Sequence, residues 1–189
     1  MVKKLISPLL FAGLLAGCKS PAPQSLANSP DAPTIRNNGY SLMYDLFNDE
    51  KDVSVLRFIR PEQTDIKDLT KTISSASKTA AQELEGFARR DPSIHLHDLW
   101  LPPGEVATRD AISKTKEKAL LTKKGREFEL NLLLTQTEAL NYAWHIAAVT
   151  ARYEPDPERA RALNDLAHEM EDLFHRAFDL ELNLPQPKG

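Results

Sequence analysis

The chain has 189 residues, of which 41% are hydrophobic and 27% are charged, so it is long enough for one domain with its own core. Its net charge is −3 and it has only seven glycines. This composition excludes a membrane-buried bundle, and it argues against nucleic-acid binding, phosphate-binding glycine loops and turn-rich β folds.

The first eighteen residues have the pattern of an export signal. Lys3 and Lys4 give a positive start, residues 5–17 are mostly apolar, and the segment ends in the box Leu-Ala-Gly-Cys at 15–18. The apolar stretch is too short to cross a bilayer as a stable helix. Cys18 is the only cysteine of the chain. This segment resembles the signal peptides of bacterial lipoproteins.

The resemblance implies that residues 1–17 are removed and that Cys18 becomes a lipidated first residue carrying a diacylglycerol and an amine-linked acyl chain such as palmitate. Several acyl chains anchor a protein stably where one does not. By resemblance to enterobacterial sorting, Lys19 after the cysteine favours the outer membrane, on its periplasmic or outer face. Cleavage removes two lysines and no acid, which changes the net charge from −3 to −5. No thiol then remains for a disulfide or a cysteine-based metal site.

The remaining chain divides by composition into a tether, a domain and a tail. Residues 19–38 contain four prolines and few large apolar residues, so residues 18–38 are predicted to form a lipidated, disordered tether. Residues 39–183 are predicted to form one domain, and residues 184–189 a disordered tail.

Two helices are predicted in the first half of the domain. Residues 41–59 are assigned to the first helix. Within them, the run 53–59 is ambiguous between a helical turn and a strand. It is assigned to the helix because the sequence has no second strand pattern with which it could pair. Residues 62–90 carry apolar side chains at helical spacing and end before Pro92.

The segment 93–104 is predicted to lie extended on the bundle, anchored by Trp100 and Leu101. His95 and His97 would point to the same side, which is compatible with zinc binding or with two surface histidines. A shorter helix is predicted over 105–122. Its inward-facing side chains are predicted to be Val106, Ile112, Ala119, Leu120 and Leu121.

The run 127–152 is predicted to be the central helix, because it has no Gly or Pro and its apolar arc is broad enough to contact several neighbours. Glu129 and Gln136 fall inside that apolar arc. A buried carboxylate needs a partner, a metal or a raised pKa. The favoured interpretation is that Glu129 pairs with a Lys or Arg and Gln136 cross-links helices. The alternatives are a metal or ligand site, or a wet edge of the helix.

The last helix is predicted over 157–182, started by the capping Asp156 and by Pro157, and packed antiparallel to the central helix. His168, Glu171 and His175 share one side of it, but both histidines lie away from its apolar stripe. Ferritin-like dinuclear centres need Glu-x-x-His on inward faces, and the sequence has no such motif.

These patterns predict an all-α, up-and-down bundle of four to five helices that is ferritin-like in architecture only. No hydrolase elbow, zinc-protease helix or Walker loop is present in the sequence. We therefore expect a non-catalytic envelope lipoprotein without a cofactor, anchored through Cys18 and binding another envelope protein or maintaining the cell surface. The alternative is a bundle that binds a metal or small ligand around Glu129 and Gln136.

Overall fold

The computed structural model describes residues 25–52, 63–98 and 101–185. In these ranges the chain is all-α, and the predicted helical bundle is confirmed. Its five helices are α1 (Ala32–Glu50), α2 (Thr64–Arg90), α3 (Pro103–Thr122), α4 (Gly125–Tyr153) and α5 (Pro157–Leu182).

The hairpin of α4 and α5 is the centre of the bundle and makes its most extensive helix–helix contact. Only residues 154–156 join the two helices, so they pack antiparallel, as predicted. Helix α1 packs on α4 and α2, and α2 also contacts α5. The core includes Phe128 and Leu133 of α4, Leu163 of α5 and Ile73 of α2, each at most 1% exposed.

The start of α5 confirms the predicted capping signal. The Asp156 side chain accepts hydrogen bonds from the backbone N–H groups of Glu158 and Arg159, both at 2.9 Å, and Pro157 occupies the first turn. A cap of this kind stabilises a helix by about 1 kcal/mol. It fixes the corner at which α5 turns back along α4.

The structure corrects the predicted tether. Helix α1 begins at Ala32, within the segment 18–38 that was assigned to disorder. Pro33 fits the first turn of a helix, and Arg36, Tyr40, Met43 and Phe47 follow at four- and three-residue steps on a buried face. Proline content was therefore misread as disorder, because one of the four prolines starts a helix.

The ordered chain extends beyond the predicted domain at both ends. The backbone N–H of Leu26 donates to the carbonyl of Arg152 at 2.7 Å, so the chain enters the bundle beside the α4–α5 corner. At the other end Leu184 is only 5% exposed, which corrects the predicted tail boundary. The carbonyl of Pro185 also accepts a hydrogen bond from Arg126 Nε at 2.6 Å.

Several predictions fall partly outside the described residues. Helix α1 ends at Glu50, and the predicted continuation over 53–59 lies in the range 53–62, which the structure does not describe. Cys18, Trp100 and residues 186–189 also lie outside the described residues. Of the helices that the structure describes, none is long and apolar enough to span a membrane.

Candidate docking groove

Glu129 lies inside the bundle at the start of α2. It is 7% exposed, and its two carboxylate oxygens accept hydrogen bonds from the backbone N–H of Gln63 at 2.8 Å and from Gln63 Nε2 at 3.3 Å. Gln63 is the residue before the first turn of α2, where a carboxylate complements the helix dipole. Among the described residues no Lys or Arg pairs with Glu129, and the partners described for it are the two N–H groups of Gln63 at this helix terminus.

Gln136 cross-links two helices, as the favoured interpretation expected. It is 1% exposed, and its Nε2 donates to Glu50 Oε2 at the end of α1 over 2.9 Å. Its Oε1 is buried and has no hydrogen-bond partner among the residues that the structure describes. Glu129 and Gln136 therefore act at two separate positions in the bundle. Glu129 caps the start of α2, and Gln136 binds the end of α1.

The Glu50–Gln136 contact lies beside a groove between the end of α1, helix α3 and the middle of α4. This α3 groove encloses about 730 Å³. Its walls combine apolar and charged side chains. They are Leu46, Asp49, Glu50, Arg109, Ile112, Ser113, Lys116, Glu117, Leu120, Leu121, Thr135, Glu138, Ala139 and Tyr142.

Helix α3 forms one wall of the groove without entering the core, and none of its residues is buried. This corrects the sequence-based assignment of Val106, Ile112 and Leu121 to an inward face, because they are 43%, 49% and 50% exposed. Helical spacing shows which side chains share a face, but it does not show whether another element covers that face.

Polar contacts connect α3 to α4. Arg109 Nη2 donates to the Tyr142 hydroxyl at 3.0 Å, and the guanidinium lies 5.4 Å from the centre of the tyrosine ring. Hydrogen bonds to Glu105 and Tyr142 raise the pKa of Arg109 further above its ordinary value. About two helical turns further along α3, Lys116 forms an ion pair with Glu138. These exposed contacts stabilise α3 weakly compared with core packing.

The protein environment of Glu50 favours its neutral form. Burial raises the pKa of the Glu50 carboxyl to about 7. The hydrogen bond from Gln136 opposes that rise, the charge of Asp49 adds to it, and Lys116 opposes it. Burial dominates because the carboxylate loses more solvation than these neighbours replace.

Glu50 predicts a pH-dependent stability difference. Its folded pKa of about 7 exceeds the ordinary value of 4.5, so the folded state binds the proton more tightly. This contribution is fully present below pH 4.5 and is lost as the pH rises towards 7. Relative to Glu50→Gln, the unaltered protein should therefore lose about 1 to 2 kcal/mol between pH 5 and 8. Urea unfolding of both proteins at each pH measures this difference, and parallel pH curves would contradict it.

A second polar cluster ties α1 and the end of α2 to the α4–α5 corner. Glu154, whose side chain is fully buried, accepts a hydrogen bond from the Tyr40 hydroxyl at 2.7 Å and pairs with Arg159 at 2.7 Å. Arg159 also pairs with Asp91 at 3.0 Å, and Arg36 donates to Ser93 at 3.0 Å. This cluster joins four segments of the chain that are distant in sequence, and we interpret it as structural.

Electrostatics inside this cluster keep its donors protonated. Burial and the hydrogen bond to Glu154 raise the pKa of Tyr40 far above its ordinary value, so the phenol remains a donor. Burial works against the charge of Arg159, but the hydrogen bond and charge of Glu154 outweigh it and raise the pKa of the guanidinium. Tyr40 and Arg159 therefore remain hydrogen-bond donors over the physiological pH range.

The histidines lie at the surface. Ile94 and Leu96 are buried while His95 and His97 are exposed, so the predicted alternation along this segment is confirmed. His95 Nδ1 lies 2.9 Å from Asp98, and His97 packs edge-on against Tyr44. His168 and His175 are also exposed, and Glu171 is partly buried. Within 25–52, 63–98 and 101–185, no three metal-ligating side chains converge on one point.

The sequence interpretation missed Glu50 and Glu154, although a pattern for each was available. Glu50 follows Met43 and Phe47 by seven and three residues, which places it on the buried stripe of α1. Glu154 lies 26 residues after Phe128, and steps of about 100° place it on the same side of the wheel as Gln136. Their partners are 86 and 114 residues away, and no local pattern reveals them.

Comparisons of this chain with protein-family models, curated proteins and solved structures gave no match.

Proposed function

We propose that this chain is a lipid-anchored envelope protein whose helical bundle binds a partner protein in the α3 groove and carries out no catalysis. The observation that carries the proposal is a helix of 20 residues, none of them buried, that forms one wall of a groove with apolar side chains. Such grooves are used by proteins that bind amphipathic helices.

The charges of the groove indicate the chemistry of the partner. Its walls hold four carboxylates and two basic side chains. Lys116 is paired with Glu138, and Arg109 with Glu105, so the remaining charges are acidic. A segment with apolar side chains flanked by Lys or Arg complements this surface. We therefore propose a basic amphipathic segment of an envelope protein as the occupant.

The point at which the chain joins the bundle supports a position of the groove away from the lipid. Six residues lie between Cys18 and Ser25, so the seven steps from one to the other span at most about 25 Å. The chain then joins the bundle at Arg152, while Tyr142 of the groove lies ten residues earlier on α4, or about 15 Å along the helix. An anchored bundle would thus hold the α4–α5 corner near the membrane and present the groove to the aqueous side.

The anchor predicts a specific loss of membrane attachment. Cys18→Ser should abolish fatty-acid labelling, because the serine hydroxyl is not a substrate for thiol lipidation, and should release the protein from membrane fractions. Metabolic labelling with an alkyne fatty acid, followed by fractionation, measures both effects. Ser20→Ala is the matched control and should leave both unchanged. Persistent labelling of Cys18→Ser would contradict the lipoprotein proposal.

Photo-crosslinking tests the docking proposal in the anchored, full-length protein. A benzoylphenylalanine at Ile112, which lines the groove, should give one discrete protein adduct in cells. The same residue at Phe178 is the control, because that side chain is similarly exposed but lies on α5, outside the groove. Glu117→Lys should reduce the Ile112 adduct by repelling a basic segment. The absence of an adduct at Ile112, the same adduct at both positions, or a yield unaffected by Glu117→Lys would contradict the proposal.

The alternative function is the binding of a small ligand or metal near Gln136. One observation favours it. Beside Glu50, the buried Gln136 Oε1 has no hydrogen-bond partner in the described part of the chain. Glu129 takes no part in that site because it is engaged at α2. If this alternative holds, added divalent metal should raise the melting temperature of the protein, and Gln136→Leu should remove the rise.

A further inference from the structure

One buried acceptor beside the groove has no donor among the described residues. Gln136 is 1% exposed, and in that part of the chain its buried Oε1 has no hydrogen-bond partner, while its Nε2 donates to Glu50. A buried acceptor without a partner is costly, and native proteins rarely retain one without a reason. Glu50 lines the groove, whereas Gln136 does not. A donor that arrived through the groove would therefore meet the Glu50 carboxylate, to which the Gln136 amide is hydrogen-bonded.

The basic side chains of the groove are engaged elsewhere. Lys116 is in an ion pair with Glu138, and Arg109 bonds to Glu105 and Tyr142. Lys116 influences Glu50 through its charge, and the structure gives no hydrogen bond between them. Leu46, Leu120 and Ala139 provide apolar walls in the same groove. A carboxylate in a groove with apolar walls is complementary to a side chain that has a cationic group at the end of an aliphatic chain. Lysine and arginine side chains have this chemistry.

We propose, building on the docking function above, that Glu50 and Gln136 receive the ammonium or guanidinium group of one Lys or Arg side chain of the partner. The aliphatic stem of that side chain lies between Leu46 and Leu120. The cation hydrogen-bonds to the Glu50 carboxylate and to Gln136 Oε1. Glu50 is then the residue that determines the specificity of the groove for a basic segment.

The same contact makes binding depend on pH. A cation requires Glu50 to be ionised, so its arrival displaces the proton that the carboxyl retains near neutral pH. Among the described residues, the other charged groups that line this region are Asp49 on α1, Arg109, Lys116 and Glu117 on α3, and Glu138 on α4. Binding of the cation should therefore be stronger at pH 8 than at pH 6.

Small probes of matched shape test the inference on the lipidated, full-length protein in nanodiscs. Butylammonium carries the proposed charge, and 1-butanol is its neutral counterpart of equal length. In NMR titrations at pH 8 that follow the Gln136 side-chain amide, butylammonium should bind at least about tenfold more tightly than 1-butanol. Glu50→Gln should bring the two affinities within about twofold. Asp49→Asn removes one neighbouring charge and should preserve the preference.

Three results would overturn the inference. They are equal binding of the two probes, a preference that survives Glu50→Gln, and a preference lost equally in Asp49→Asn. Arg57 and Arg60 lie in the undescribed range 53–62. Butylammonium binding that appears only in Arg57→Gln or Arg60→Gln would also overturn the inference, because the chain would then supply its own cation.

The crosslinking experiment separates this failure from failure of the docking proposal. An Ile112 adduct without a preference for the cation leaves docking intact and removes only the role of Glu50. A preference for the cation without an adduct supports the role of Glu50 and contradicts docking.

Discussion

Glu154→Ala is expected to destabilise the protein by about 3 to 5 kcal/mol. The substitution removes the acceptor of the fully buried Tyr40 hydroxyl and the most deeply buried partner of Arg159, whose guanidinium then keeps only its more exposed acidic partners, Asp91 and Asp156. Removing one partner of a buried ion pair typically costs this much, because the remaining charge stays desolvated. Urea unfolding followed by circular dichroism gives the free energy of unfolding.

A matched control and a double-mutant cycle distinguish the loss of this cluster's contacts from a general destabilisation by substitutions at the α4–α5 corner. Glu158→Ala removes an exposed carboxylate four residues further on and should change stability by less than about 0.5 kcal/mol. Tyr40→Phe alone should cost about 1 kcal/mol. In the Glu154→Ala background it should cost nothing, because the hydroxyl has already lost its acceptor. Additive effects would show that Tyr40 and Glu154 do not act together.

Gly39→Ala is expected to cost about 2 to 3 kcal/mol, although alanine favours helices. A Cβ at position 39 would lie 2.0 Å from Thr150 Oγ1 and 3.1 Å from its Cβ, so α1 and α4 would have to separate. The Thr150 side chain is short and bonded to the carbonyl of Ile146, which limits its ability to move aside. Differential scanning calorimetry should show a clear fall in melting temperature.

Gly86→Ala provides the matched control for that prediction. Gly86 also lies inside a helix, but an added Cβ would meet only the flexible ends of Arg90 and Arg89, at 3.4 and 3.8 Å. It should therefore raise stability by about 0.5 to 1 kcal/mol through helix propensity. Adding Thr150→Ala to Gly39→Ala should recover part of the loss, since it removes the atom that the new Cβ approaches most closely. A neutral Gly39→Ala variant would contradict the close packing of α1 on α4.

Helical periodicity predicted most of the fold. The helices over 62–90, 127–152 and 157–182 were placed within a few residues of their observed ends, because each has a long apolar stripe and clear stop or start residues. The start of α1 was misplaced because prolines in a polar segment indicate a tether and a helical first turn equally well. Only the burial of Arg36 and Tyr40 in a cluster of residues distant in sequence distinguishes the start of a helix from a tether here.

The candidate site was predictable only in part. The wheel of the central helix identified Gln136 as a buried polar residue, and the structure places it beside the groove. The groove itself depends on how α3 lies against α4 without entering the core, and no periodicity within α3 contains that information. Glu50 gained its importance from a contact with a residue 86 positions away. Such contacts arise from the assembled bundle and are invisible to local pattern analysis.

Hydrogen exchange of α3 tests the central claim, that this helix forms the wall of a groove that a partner fills. Mass spectrometry should compare the purified anchored protein in nanodiscs with the same protein in isolated cell envelopes. In nanodiscs, amides of residues 105–121 should exchange at least about 100-fold faster than those of 163–177, because α3 has no buried side chains. In envelopes, exchange of α3 should slow selectively. Protection of α3 equal to that of α5 in nanodiscs, or identical exchange in both preparations, would contradict the account.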